Sequence, residues 1–319
     1  MHLLLPYAAA LAPGCEAAQR SLALPNLEQL LARLAPDHSH QNDERDEFTL
    51  SPPHERALAR ALGLAGSDGR LPWAARAAAL AGEDPAAEPR GWVTPCHWQV
   101  ATDHITMGDP AALGLSEDES RALLALVAPY FEEDGIRLAY QSPIRWNASG
   151  EPLRGLATAS LDRVTGRGLD LWMPDGPEAR PLRRLQTELQ MLLYTHPSTD
   201  ERNARGLLAV NSFWLSGTGD WTPGARADAP ELRIPGGLRD AALHDDWAAW
   251  AAAWQAIDAG DCAELLARLD QGAEVRLTLC GERRALTFQA GSAGAWQRLT
   301  SKLRGLFART RLADLARTL

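Results

Sequence analysis

The stretch Pro95–Ile105, PCHWQVATDHI, gathers Cys96, His97, Asp103 and His104 within a few positions. Side chains of these types ligate metals, and a cysteine near a histidine can act as a nucleophile with its base. The spacing argues against both. In a strand, side chains alternate between faces, so Cys96, Trp98 and Val100 share one side while His97 and Gln99 take the other. A turn at Thr102–Asp103 sets Cys96 opposite Asp109, whose charge would raise a thiol pKa rather than activate it. Cys96 therefore reads as a small buried hydrophobe, and no metal site is predicted. One face of the hairpin is expected to line a pocket.

A second group lies in THPSTDERNARGLLAVNSFWLSGTG, Thr195–Gly219. It reads as a helix end, a His-Pro turn, a short helix capped by Ser198 with Glu201, a strand, and the loop Ser216–Gly219. Free N–H groups at a helix start, and glycines that let a backbone come close, suit an anion such as phosphate. Arg202 and Arg205 add charge and bidentate hydrogen bonds. The expected ligand-binding set is Cys96, His97, Asp109, His196, Arg202, Asn211, Gly217 and Gly219. Substituting Arg202 by alanine is expected to weaken binding without unfolding the chain.

The elements that must position these residues follow from periodicity. Leu3–Leu5 reads as a first buried strand, and LPNLEQLLARL carries a helical stripe at Leu27, Leu30, Leu31 and Leu34. In SPPHERALARALGL a helix starts with Ser51 as N-cap and stops at Gly63. Asp37–Glu47 reads as a polar surface loop, and Gly82–Arg90 as a linker. Ser116 with Glu119 forms a capping box before the stripe Leu123, Leu124, Val127 and Phe131. A strand is expected at Ile136–Tyr140, a helix at Arg180–Tyr194 and a strand at Ala209–Leu215. Trp247, Trp250 and Trp254 share one face of a helix and are read as core. A hairpin joins Val275–Cys280 to Ala285–Ala290 across GERR, and a final helix closes the chain. Arg298, Lys302, Arg304, Arg309 and Arg311 are read as its solvated face.

The 319 residues are 45% hydrophobic, enough for a sizeable core, and the net charge is -9 with a single lysine, Lys302. Nucleic acid is not the expected partner of so acidic a chain. Cysteines 15, 96, 262 and 280 fit neither a zinc ribbon nor a disulfide scaffold, so reduced thiols and a cytoplasmic location are expected. No segment reads as a membrane span.

The Thr195–Gly219 segment resembles the archaeal-type cofactor-independent phosphoglycerate mutases of the alkaline phosphatase superfamily. The likeness is carried by His196, Pro197, Arg202, Gly206, Asn211, Gly217 and Gly219 in order, with Cys96, Asp109 and the helix after Ser116 upstream. The resemblance implies a metal-dependent phosphomutase with two divalent ions, manganese or magnesium, and a serine nucleophile. The departures are specific. Pro6-Tyr7-Ala8 stands where that family has a metal-binding aspartate, and Ser216 stands where it has an arginine. After Gly219 only His244, beside Asp245 and Asp246, remains as a histidine. Over nearly its whole length the chain is similar to the RpfE-type regulatory proteins of proteobacteria. That likeness is carried by SPPHERALARALGL, TPCHWQV, LQTELQMLLYTHP, VNSFWLSGTG and LTLCGER, and it implies a bacterial protein tied to the regulation of pathogenicity factors.

The expected fold is therefore α/β, a mixed sheet covered by helices, a reduced alkaline-phosphatase-like or phosphoglycerate-mutase-like architecture. Residues 1–90 and 220–319 would form a core region and 91–219 a mutase-like substrate region, with one compact unit as the alternative. The expected function is a regulatory pseudoenzyme that binds a small phosphorylated or anionic metabolite and needs no cofactor. The alternatives are a working phosphomutase or phosphatase, which would recruit His2, His54, His97, His104 or His244 to manganese or magnesium, and a protein-interaction module with a tryptophan-rich surface.

Overall fold

The structure is a computed structural model and describes residues 1–37, 47–102, 104–222, 224–225, 229, 231–290, 311–316 and 318–319. Most of the expected Asp37–Glu47 loop, Asp103, and Arg298, Lys302, Arg304 and Arg309 lie outside the described residues.

In chain order the strands are β1 (His2–Leu5), β2 (Ala35–Pro36), β3 (Arg90–Cys96), β4 (Trp98–Val100), β5 (Ile105–Met107), β6 (Arg137–Ser142), β7 (Arg145–Ser149), β8 (Ser212–Ser216), β9 (Leu232–Arg233), β10 (Arg276–Cys280) and β11 (Ala285–Gln289). The helices are α1 (Pro13–Ser21), α2 (Pro25–Arg33), α3 (Pro53–Leu62), α4 (Trp73–Leu80), α5 (Glu117–Glu133), α6 (Leu161–Val164), α7 (Arg180–Thr195), α8 (Pro197–Ala204), α9 (Gly237–Leu243), α10 (Trp247–Ile257), α11 (Ala263–Asp270) and α12 (Leu312–Ala316). The fold is mixed α/β. Among the described residues no helix is long and apolar enough to cross a membrane.

The chain forms two compact units. The first comprises Met1–Glu47, Pro52–Leu58 and Ala229–Leu319, and the second Phe48–Ser51 and Ala59–Asp228. The helix α3 is shared between them. The helix starts at Pro53, and the Ser51 hydroxyl accepts the Gly69 N–H at 2.9 Å.

The first unit is built on a mixed sheet, β2-β11-β10-β1-β9, in which β1 runs parallel to both β9 and β10. Leu3 and Leu5 face a core containing Leu27, Leu30, Leu265 and Leu277, while Leu4 faces Ala57 and Cys280 on the other side. A strand buried on both faces is apolar at every position, which is why LLL shows no alternation. Trp250 and Trp254 are fully buried in the same core, and Trp250 donates its indole N–H to the Tyr7 carbonyl at 2.8 Å. Between α10 and α11 lies one π-helical turn, Asp258–Cys262. Asp258 accepts the N–H groups of Leu27 (2.7 Å) and Asn26 (3.3 Å), so it caps α2, whose own N-cap residue, Leu24, has no side-chain oxygen.

The second unit has an antiparallel sheet, β6-β7-β3-β8, with Val93, Trp146, Phe213 and Leu215 packed against Leu123, Val127 and Phe131 of α5 and Leu185, Leu189 and Leu193 of α7. The strand β7 was not expected from the sequence; its alternation NAS is short and polar. The other face of β8 presents Trp214 to Cys96, Trp98, Met107 and Trp172. Among the described tryptophans none is exposed, so they do not form the tryptophan-rich surface of the interaction-module alternative.

His2 tests the first sheet. Its ring Nε2 lies 2.8 Å from the Thr278 hydroxyl, and burial, then Arg276, lower its pKa from 6.5 to about 4. Between those values the unfolded chain takes up a proton that the folded chain refuses, so stability falls as pH falls through this window. The substitution His2→Gln is expected to flatten that part of the profile. Urea midpoints collected from about pH 7 to about pH 4 check it, and an unchanged slope would show that His2 is not the group responsible.

Candidate functional site

The sequence-predicted residues fall into two groups, at opposite ends of β8. One end follows Asn211. The strand register pairs Cys96 with Ser212, and at the other end Trp92 with Ser216. Gly217 and Gly219 therefore adjoin Trp92, while Asn211 adjoins Cys96. A single small-ligand pocket cannot use both.

At the Asn211 end the chain changes sheets. The strand β3 stops at Cys96, His97 is a break, and β4 pairs only with β5, Trp98 opposite Met107 and Val100 opposite Ile105. Cys96 is thus partnered by Ser212 across β8 and not by Asp109 in the hairpin. Asn211 secures the change. Its backbone N–H donates to the Cys96 carbonyl, its side-chain oxygen accepts the Trp98 N–H at 2.7 Å, and its amide donates to the Trp98 carbonyl at 2.8 Å. A carboxamide has the donor and acceptor of a peptide group, so Asn211 extends the pairing one residue past the strand end. His97 Nδ1 lies 2.7 Å from the Ala209 carbonyl, which can only accept, so that nitrogen carries the proton. The Cys96 thiol is fully buried among aromatic rings, and burial pushes its pKa upward, as an inert core cysteine requires.

Arg202 sits beside this junction and is 4% exposed. Its Nε donates to the Leu208 carbonyl at 2.8 Å, Nη2 to the Leu113 carbonyl, and Nη1 to Glu119 Oε1 at 3.0 Å. Each of the three guanidinium nitrogens is engaged by the chain itself. The alanine variant is therefore expected to lose stability, because truncation removes the donors to the Leu113 and Leu208 carbonyls. Glu119 is the common node. Oε1 also accepts from Arg205 Nη1 at 2.8 Å, and Oε2 accepts the Ser116 N–H (3.0 Å) and hydroxyl (3.1 Å), completing the capping box of α5. The Ser116 N–H first, with Arg205 and Arg202 adding to it, holds the Glu119 pKa at about 2.

Asp109 accepts the Ala111 N–H at 2.9 Å and caps the short 3-10 turn Pro110–Leu113, which delivers the Leu113 carbonyl to Arg202. His196, rather than Ser198, caps α8: its Nδ1 accepts the Ser198 N–H at 3.2 Å. At the far end of β8 the glycine loop is a joint. A Cβ on Gly217 would lie 2.8 Å from the Trp92 ring, and one on Gly219 2.3 Å from the Arg70 carbonyl oxygen. Thr218, fully buried between them, is bonded to Thr158 and to the Leu156 carbonyl. Close approach is what these glycines permit, but the group that approaches is the chain itself. Inside the α5–α7 core lies a void of about 10 Å³, lined by Leu123, Val127, Trp146, Leu189, Val210 and Phe213. Ser212, whose hydroxyl accepts from Gln190 Nε2 at 3.4 Å, is the one polar side chain of its lining.

The histidines that a metal-dependent enzyme would recruit are divided between the two units. His97 and His104 belong to the second unit, and His2, His54 and His244 to the first. His2 is engaged by Thr278, and His244 Nδ1 by the Asp240 carbonyl. Among the described residues no three His, Cys, Asp or Glu side chains are grouped so as to hold a metal ion. Among the described residues the donor set does not fit a two-metal centre.

No protein-family model matches the chain, and no curated protein matches it. Among solved structures it is similar to the cofactor-independent phosphoglycerate mutase from Thermoplasma acidophilum DSM 1728, at 13% identity over 92% of this chain and 90% of that one, with a TM-score of 0.35. It is also similar to the PH0037 protein from Pyrococcus horikoshii, at 12% identity over 99% and 95% of the two chains, with a TM-score of 0.37.

The Glu119 node is testable by pH. Its folded pKa lies below its unfolded value of 4.5, so its contribution is complete above 4.5 and is lost as pH falls toward about 2. The variant Glu119→Gln keeps a capping-box side chain but cannot titrate. It is expected to be less stable at neutral pH and to lose less on acidification over that window. Parallel acid unfolding of the two proteins, followed by circular dichroism, checks this; identical acid limbs would remove Glu119 from the account.

Proposed function

We propose that this chain is a regulatory protein that acts by binding rather than by turning over a substrate, and that its ligand is a small anionic metabolite carrying a phosphoryl group. One observation carries the reading. Arg202, Asn211, His97, Asp109 and His196 are each engaged by the chain's own groups, whereas Arg205, 59% exposed, presents its guanidinium to solvent from the same node. Arg202 and Asn211 are positioning residues in this reading, and Arg205 is the cation that meets the ligand. The likeness to phosphoglycerate mutases in residues 195–219 is the reason for choosing phosphoryl compounds, and the RpfE-type likeness is the reason for choosing regulation. The cytoplasm is the compartment that this assignment implies.

A protein partner is the second reading. It is favoured by Met191 and Tyr194, which are 65% and 78% exposed and lie three residues apart on the outer face of α7. Large apolar side chains left side by side in water are a mark of interaction surfaces.

The test is a thermal-shift series with phosphorylated metabolites, 3-phosphoglycerate among them, with and without manganese. Stabilisation without turnover is expected, and it should disappear in Arg205→Ala. That variant should otherwise be close to wild type in stability, since an exposed ion pair contributes about 1 kcal/mol at most. Manganese-dependent conversion of 3-phosphoglycerate would refute the binding reading. Indifference of both proteins to every compound would leave the partner surface on α7.

A further inference from the structure

We propose that the turn Gly281–Arg284, together with the buried side chain of Arg56, is a second oxyanion-binding site, and that Leu319 covers it in this conformation. The site lies in the first unit and shares no residue with the Arg205 reading.

The turn lies at the carboxyl ends of the parallel strands β1 and β10, where open α/β sheets place their ligands because loops diverge there. The ladder between them ends with the Ala8 N–H on the Cys280 carbonyl at 2.7 Å. Tyr7, next to that bond, has φ +51°, a left-handed conformation that is an outlier for an aromatic residue. Strained backbone of this kind collects at ligand sites. His54 packs its ring 5.6 Å from that of Tyr7. His54, Arg56 and Glu282 are each more than nine-tenths buried. Charged groups are withdrawn from water so completely only where partners compensate them.

The turn itself already holds an oxygen. The N–H groups of Arg283 and Arg284 both donate to the Leu319 carbonyl oxygen, at 3.1 and 2.9 Å. Two successive backbone N–H groups converging on one oxygen form a concavity that suits an anion. Arg56 donates to the Arg283 carbonyl at 3.3 Å, so its guanidinium stands against the same turn. The side chains of Arg283 and Glu282 flank the turn. Glu282 is tied to the Leu11 N–H at 2.7 Å and Glu47 to Arg283 at 2.6 Å.

Leu319 is held there by shape. A Cβ on Gly281 would lie 2.5 Å from the Leu319 carbonyl carbon, so only glycine admits Leu319 here. Leu319 is 3% exposed, and Leu312 and Leu319 join the core that contains Cys15 and Leu279. Leu319 therefore occupies the N–H pair with a neutral or carboxylate oxygen of its own chain. A carboxylate or phosphoryl oxygen from a ligand would replace it.

The test is Gly281→Ala in the full-length chain. Gly281 is not among the residues of left-handed backbone, and the three atoms nearest to an added Cβ there all belong to Leu319. Hydrogen exchange of the peptide spanning Gly281–Arg284 is expected to accelerate about tenfold or more in the variant. Inorganic phosphate, against sodium chloride of equal ionic strength, is expected to restore protection and raise the melting temperature of the variant more than that of the wild type. Unchanged exchange would show that Leu319 does not cover the turn. Faster exchange without a phosphate effect would show that the turn is no anion site. If Gly281→Ala fails to fold, a chain lacking Leu312–Leu319 takes its place, with the same readings for and against.

Discussion

The second unit depends on one carboxylate. Glu119 receives hydrogen bonds from the Ser116 backbone and hydroxyl on one oxygen and from Arg202 and Arg205 on the other. It thereby fixes the start of α5 and the end of α8 with a single group. A buried guanidinium is costly to desolvate, and the cost is offset only when every donor finds an acceptor. Arg202 meets that condition with Glu119 and the carbonyls of Leu113 and Leu208. The Leu113 carbonyl arrives through the turn that Asp109 caps, and Leu208 leads to Ala209, whose carbonyl holds His97. Asn211 follows and clamps Trp98. The orientation of the β4–β5 hairpin is thus traceable, bond by bond, to the Glu119–Arg202 contact.

This chain of contacts explains why polar residues clustered in the sequence without forming a catalytic centre. A strand that leaves its sheet in mid-course abandons backbone donors and acceptors, and each must be paired if it is buried. Between Cys96 and Trp98 that demand falls on side chains, and His97 and Asn211 meet it. The polarity of PCHWQV is in this sense the signature of a sheet change.

Much of the fold was legible in the sequence because it rests on periodicity. The stripes of α2, α5 and α7, the capping box at Ser116, the tryptophan face of α10 and the β10–β11 hairpin all follow from spacing alone. Residues 59–90, which composition grouped with the two ends of the chain, cluster with the second unit, and the Ala74 N–H of α4 donates to the Gly217 carbonyl. The candidate site was legible only as a set of names. His97, Arg202 and Asn211 do converge, but their partners are backbone carbonyls, which every residue carries and which no residue type announces. Gly217 and Gly219 mislead for a related reason. Their freedom from a Cβ is used, but by Trp92 and Arg70 rather than by a phosphate.

The central claim is that Arg202 holds the structure while Arg205 meets the ligand. Chemical denaturation of Arg202→Met tests it most directly, because methionine fills the space but leaves the Leu113 and Leu208 carbonyls without donors. The account predicts a loss of about 3 kcal/mol in unfolding free energy, the usual cost of breaking a buried charged network from one side. A variant with wild-type stability that has lost its response to phosphorylated compounds would contradict it, and would return Arg202 to the binding site.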